Sequence, residues 1–247
     1  MSTALILALV AGAVVGLVLG GLGGGGSVLA VPAMIYLLGF SPLAATTASL
    51  LVVTVTSLAG LLAHAREGNV RWRVGALFAA AGVPPALLGG AMAGRIPEPV
   101  LTAAFSVIAG LAAWRMLRPG SLPRQGVRPA RAAAAGAGLG AVTGVLGVGG
   151  GFLAVPALTG VLGLRMKSAV GTSLLVIVIN SLAALVTRGH TADGLDWAVL
   201  APFTGAAILA AWDGKRLAAK LPADRLQRLF AYVLLAVAAF MLLDALI

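Results

Sequence analysis

The residues in this chain best suited to chemistry are small and uncharged. Two glycine-rich runs, Gly20–Gly26 and Gly147–Gly151, each lead into a short apolar stretch carrying Val-Pro, at Val31-Pro32 and Val155-Pro156. Without side chains, glycines let backbone N–H groups face a cavity. A helix starting just after them adds unpaired donors and the positive end of a dipole. Gly25, Gly26 and Ser27 in one run, and Gly149, Gly150 and Gly151 in the other, are therefore candidate anion ligands. The same glycines also suit close packing of membrane helices, so both uses stay open. Neither run is a phosphate loop, since no Gly-Lys-Ser/Thr follows.

A second set lies on the next apolar segment of each half. Thr46, Ser49, Thr56, Gly60 and His64 are spaced to share one helix face, and Thr172, Ser173 and Asn180 recur downstream. Uncharged hydrogen-bond donors suit an oxyanion, and they equally suit bonds between helices. Asn180, directly after Val176-Ile177-Val178-Ile179, is the one amide deep in an apolar run, where it is costly without a partner. His64 stands beside Arg66, Arg71 and Arg73 at a segment end, so it reads as interfacial and solvated, with proton sensing as the sharper alternative. The seven acids all fall at or near segment ends. Asp213 comes closest to mid-membrane, but Lys215 and Arg216 follow it, which reads as an interfacial ion pair. No Ser-His, Asp-Asp or metal constellation is apparent, so neither an enzyme nor a cofactor or metal site is expected. Cysteine is absent, which excludes disulfides and thiolate sites.

These residues need scaffolding, and a duplication supplies it. Residues 25–61 align without gaps on 149–185, a shift of 124, with 18 identities in 37 columns. Ser49 falls on Ser173 and Thr56 on Asn180. After one inserted residue, Trp72 pairs with Trp197 and Phe78 with Phe203. Each half divides into five apolar segments, at about 3–21, 28–39, 42–63, 74–93 and 99–117, then 132–148, 152–163, 168–187, 198–213 and 225–246. The organisation is thus a first membrane repeat (1–117), a Pro/Gly/Arg-rich cytoplasmic linker (118–131) and a second membrane repeat (132–247). The second segment of each half has 12 residues. That is roughly 18 Å of helix, too short for a ~30 Å hydrocarbon core. Simple hydropathy therefore reports eight spans where about ten helical segments exist.

Charge chooses the topology. If the halves are parallel, the 17 Lys and Arg divide about 9 to 8 between the two sides. If each half reverses, 15 lie on one side and only Arg95 and Arg188 on the other. The positive-inside rule favours the second arrangement, an inverted repeat with both ends outside. Inverted repeats with matching interrupted segments recur in transporters, with the site near mid-membrane.

The chain as a whole is 60% hydrophobic and 10% charged, which a soluble fold of this size does not tolerate. Long unbroken apolar runs point to membrane helices and not barrel strands. The first 20 residues lack a positive leader and read as a retained membrane helix, not a signal peptide. The net charge of +10 sits in clusters between apolar runs, so nucleic acid is not an expected partner.

The duplicated Gly-rich/Val-Pro stretches, the Ser-Leu-Leu segments and the Gly68-Asn69-Val70-Arg71-Trp72 and Gly194-Leu195-Asp196-Trp197 loops resemble the sulfite exporter TauE/SafE family of membrane permeases. The resemblance spans nearly the whole chain. It implies a bacterial cytoplasmic-membrane permease for sulfite, sulfonates or related organosulfur anions. Arg71 departs from the acid common at its position, whereas Asp196 keeps it. The expected partners are a small anionic organosulfur substrate and the lipid bilayer, with a homodimer open. Export is the expected direction, because an inside-negative potential favours anion exit. The rivals are an ion-coupled importer and a non-transporting scaffold subunit.

Overall fold

The computed structural model describes residues 3–22, 27–117, 129–147, 151–160, 162–189, 194–218 and 223–246. Among these the protein forms ten α-helices and no strand. In the first half they are α1 (Thr3–Leu22), α2 (Ser27–Tyr36), α3 (Pro42–Arg66), α4 (Trp72–Ala93) and α5 (Glu98–Leu117). In the second they are α6 (Pro129–Leu146), α7 (Gly151–Gly160), α8 (Met166–Val186), α9 (Trp197–Ala218) and α10 (Ala223–Leu246). Each matches one of the apolar segments read from sequence. α1, α3, α4 and α8 are long and apolar enough to cross a membrane.

The short helices α2 and α7 have 10 residues each and end alike. Gly39 follows α2 at φ 73° and Gly163 follows α7 at φ 64°, a left-handed turn that glycine adopts without penalty. The Phe40 N–H then donates to the Met34 carbonyl at 3.0 Å, and the Leu164 N–H to the Leu158 carbonyl at 3.1 Å. These are the same positions, 124 residues apart. α3 starts where Ser41 precedes Pro42: the Ser41 hydroxyl accepts the Ala44 N–H at 3.3 Å, and proline fits the first helical position.

Much of the packing joins one half to the other. α1 lies parallel to α9, with Gly12, Gly16 and Gly20 pressed on the backbones of Phe203, Ala207 and Ala211. α6 lies parallel to α4 in the same way, with Gly136, Gly140 and Gly144 on Phe78, Gly82 and Ala86. The glycines are spaced four apart, the small-residue ridge that lets membrane helices approach closely. Gly20, at the start of the first glycine-rich run, thus serves packing. α3 and α8 run antiparallel: Gly60 faces Leu174 and His64 faces Gly171. α5 packs on α10.

The exterior is apolar. Leu77, Val186 and Leu209 are 75%, 78% and 75% exposed. Water would penalise such a surface, whereas lipid tails would not. Trp72 and Trp197, the first residues of α4 and α9, are exposed where an interfacial aromatic belt would lie.

Candidate functional site

The antiparallel pair α3–α8 forms the polar seam of the bundle. Thr46, Ser49 and Thr56 on α3 and Thr172, Ser173 and Asn180 on α8 are all buried. Their hydrogen bonds separate them. Thr46 donates to the Leu43 carbonyl at 2.9 Å, Thr56 to Val52 at 2.7 Å, and Ser173 to Val170 at 2.7 Å. Each of these protons is committed to the residue's own helix, a common way to hide a hydroxyl in lipid. Thr172 accepts the backbone N–H of Arg71 at 3.0 Å. Ser49 and Asn180 differ: the Ser49 hydroxyl, and both the Asn180 nitrogen and oxygen, are buried with no partner among the described residues. Ser57, Ser181 and Thr143 share that state, and sequence reasoning passed over them as site residues.

Asn180 is fully buried on α8, and its amide abuts the backbone of α4. A methyl group on Gly82 would stand 2.7 Å from its Nδ2 and 2.9 Å from its Oδ1. Gly82 therefore makes the room that the amide occupies. An amide left unpaired in an apolar interior costs about 1–3 kcal/mol on mutational scales. Such a group is selected against unless something binds it.

The second feature was not foreseen. Arg188, expected among outside loop cations, folds back into the bundle and is 3% exposed. One terminal nitrogen donates to the hydroxyls of Thr46 at 2.9 Å and Thr47 at 3.3 Å. The other donates to the carbonyls of Gly144 and Val145, the latter at 2.7 Å. Those carbonyls lie in the last turn of α6, where the helix dipole is negative and a cation is favoured. The remaining Nε is buried with no partner among the described residues. Among the described residues, no carboxylate pairs with this guanidinium. Gly147, at φ 66°, abuts the Thr46 carbonyl, so the second glycine-rich run begins against the residue that Arg188 holds.

Some candidates lie outside the described residues: Gly25, Gly26, Gly149 and Gly150, and the side chain of Ser27. Gly151 is the first residue of α7 and is buried. Gly60 and His64 line the α3–α8 contact. Arg216 and Asp213 lie 3.9 Å apart, both exposed, and form an ion pair. The Arg71/Asp196 difference has a local consequence: Asp196 caps α9 by accepting the Ala198 N–H at 3.0 Å, whereas Arg71 gives α4 no side-chain cap.

Comparison with known proteins assigns the family. The family described as Sulfite exporter TauE/SafE matches residues 8–241. A protein of Xylella fastidiosa strain Temecula1, named "Probable membrane transporter protein", is 34% identical over 249 residues, covering 96% of this chain and 95% of that one. A Haemophilus influenzae protein of the same name is 24% identical over 267 residues, covering 98% and 100%. The Bacillus subtilis "Probable membrane transporter protein YunE" is 37% identical over 91 residues, 36% of this chain and 32% of that one. No solved structure matches. The chain therefore belongs to the TauE/SafE sulfite exporter family of membrane transporters.

Proposed function

We propose that the protein is a multi-pass permease of the bacterial cytoplasmic membrane that exports a small organosulfur oxyanion of the sulfite or sulfonate class, along the α3–α8 seam. The observation that carries this reading is Asn180: a fully buried amide in the middle of an apolar helix, with both polar atoms unpartnered. Its nitrogen has two N–H groups to donate, which is what an oxyanion accepts. The Ser49 hydroxyl on the facing helix adds another unpaired donor. Gly25, Gly26, Gly149 and Gly150 remain candidate backbone donors beside the short helices. An inside-negative potential favours exit by ~2.3 kcal/mol per charge per 100 mV, and exit needs no coupling acid.

The two halves form inverted repeats in this reading. The antiparallel packing of the repeat mates α3 and α8 supports it, because a two-fold along the membrane normal would keep mates parallel. The matched pairings α1–α9 and α6–α4 support it as well. On this topology α3 begins, and α6 and α8 end, on the outer side.

The test is flux in proteoliposomes loaded with sulfite or methanesulfonate. Wild type should release the anion faster when the interior is negative. Asn180→Ala should reduce flux roughly 10- to 150-fold, the value of one hydrogen bond to a charged ligand, while the protein stays folded. Unchanged flux in Asn180→Ala rules the seam out as the path.

A further inference from the structure

We infer that Arg188 is an anion ligand in its own right, the charge-bearing centre of an oxyanion site at the outer end of the proposed path. The inference rests on the permease reading and names the group that would recognise the substrate's charge there.

A guanidinium carries one positive charge and five N–H donors in a rigid fork. Four of those donors meet neutral oxygens on α3 and α6, and the Nε–H meets none. These acceptors satisfy geometry but do not neutralise charge, and no described carboxylate does. A buried cation held this way draws in an anion. The one N–H left open, at Nε, can make a charge-assisted hydrogen bond to a carboxylate, sulfonate or phosphate oxygen. Two further donors stand close along the same helices. Ser49 lies one turn past Thr46 on α3, and Thr143 directly precedes Gly144 on α6. Both hydroxyls are buried with no partner among the described residues. Three unsatisfied donors and one uncompensated charge fit a small tetrahedral oxyanion. The Thr46 contact also ties the site to the start of the second glycine-rich run at Gly147.

A purely structural Arg188 would be a cap on α6 and nothing more. The two roles separate in a binding experiment on the full chain in a maltoside detergent, which has no phosphate group. Sodium methanesulfonate and sodium sulfate are titrated against chloride at matched ionic strength, with thermal unfolding as readout. Wild type should gain stability with at least one of the two oxyanions over chloride. Arg188→Gln should weaken that affinity by at least about tenfold. Arg188→Lys, which keeps the charge but not the fork, should fall between. Ser49→Ala combined with Thr143→Val removes only unpartnered hydroxyls, so it should fold normally and lose affinity; it carries the test if the Arg188 variants do not fold. Wild-type affinity in Arg188→Gln, or in the double variant, overturns the inference. If Asn180→Ala alone loses binding, the Arg188 site fails while the seam survives. If wild type responds to neither salt, both fail. A shift with added phosphatidylglycerol but with neither salt also overturns the small-anion site, assigning Arg188 to a lipid headgroup.

Discussion

Gly82 on α4 and Asn180 on α8 fit against one another so closely that one methyl group would separate them. A β-carbon at Gly82 would lie 2.7 Å from the Asn180 amide nitrogen and 2.8 Å from the Gly136 carbonyl. The amide and the glycine belong to different halves of the chain, and each has meaning only beside the other. Gly82→Ala should lower the melting temperature, because the carbonyl is backbone and cannot move aside cheaply. Overpacking of this kind costs about 1–3 kcal/mol. Gly205→Ala in α9, where nothing lies within 4 Å, is the control. There the gain in helix propensity, about 0.5–1 kcal/mol, should prevail. Thermal unfolding of both variants checks the opposite signs.

The glycine ridges predict paired sensitivity. Gly16→Val and Gly140→Val occupy equivalent positions, and each would drive a branched side chain into a neighbouring backbone. Both should strip folded protein from the membrane fraction, measured by monodisperse yield after extraction. Gly138→Ala, on the same helix as Gly140 but facing open space, should not.

Ser57 and Ser181 are repeat mates with buried, unpartnered hydroxyls. Removing an unpaired polar group from an apolar interior is neutral or stabilising. Ser57→Ala and Ser181→Ala should therefore keep or raise the melting temperature. A loss beyond about 1 kcal/mol in either would mean that the hydroxyl has a partner, such as a buried water.

Topology is open to direct labelling, since the chain has no cysteine. Glu67→Cys and Gly194→Cys replace exposed residues in loops assigned to opposite sides. An impermeant thiol reagent outside intact cells should label Gly194→Cys and spare Glu67→Cys. The reverse pattern, or equal labelling, would contradict the inverted arrangement.

The helices were legible because lipid makes hydropathy the dominant signal. Even α2 and α7, too short to span, stood out through the glycine runs before them and their Val-Pro pairs. Buried hydroxyls were legible only as types. Sequence cannot tell Thr56, whose proton is bound within its own helix, from Ser49, whose proton is unclaimed. Arg188 was misplaced for a different reason. It follows the apolar run in Val186-Thr187-Arg188-Gly189, where position alone says loop. Its long side chain turns back to acceptors 142 and 44 residues distant in sequence, a reach that no local pattern encodes.

The interleaving of the halves also sets a schedule for synthesis. Gly16 emerges from the ribosome long before Ala207, the residue it packs against; at about 5–20 residues per second the wait is roughly 10–40 s. Throughout it α1 holds a grooved, glycine-lined flank with no helix to receive it. α4 waits only for α6, which follows soon after the linker. The nascent chain therefore closes α4 on α6 before α1 meets α9, and α1 must be shielded by lipid or by an insertion chaperone until α9 arrives.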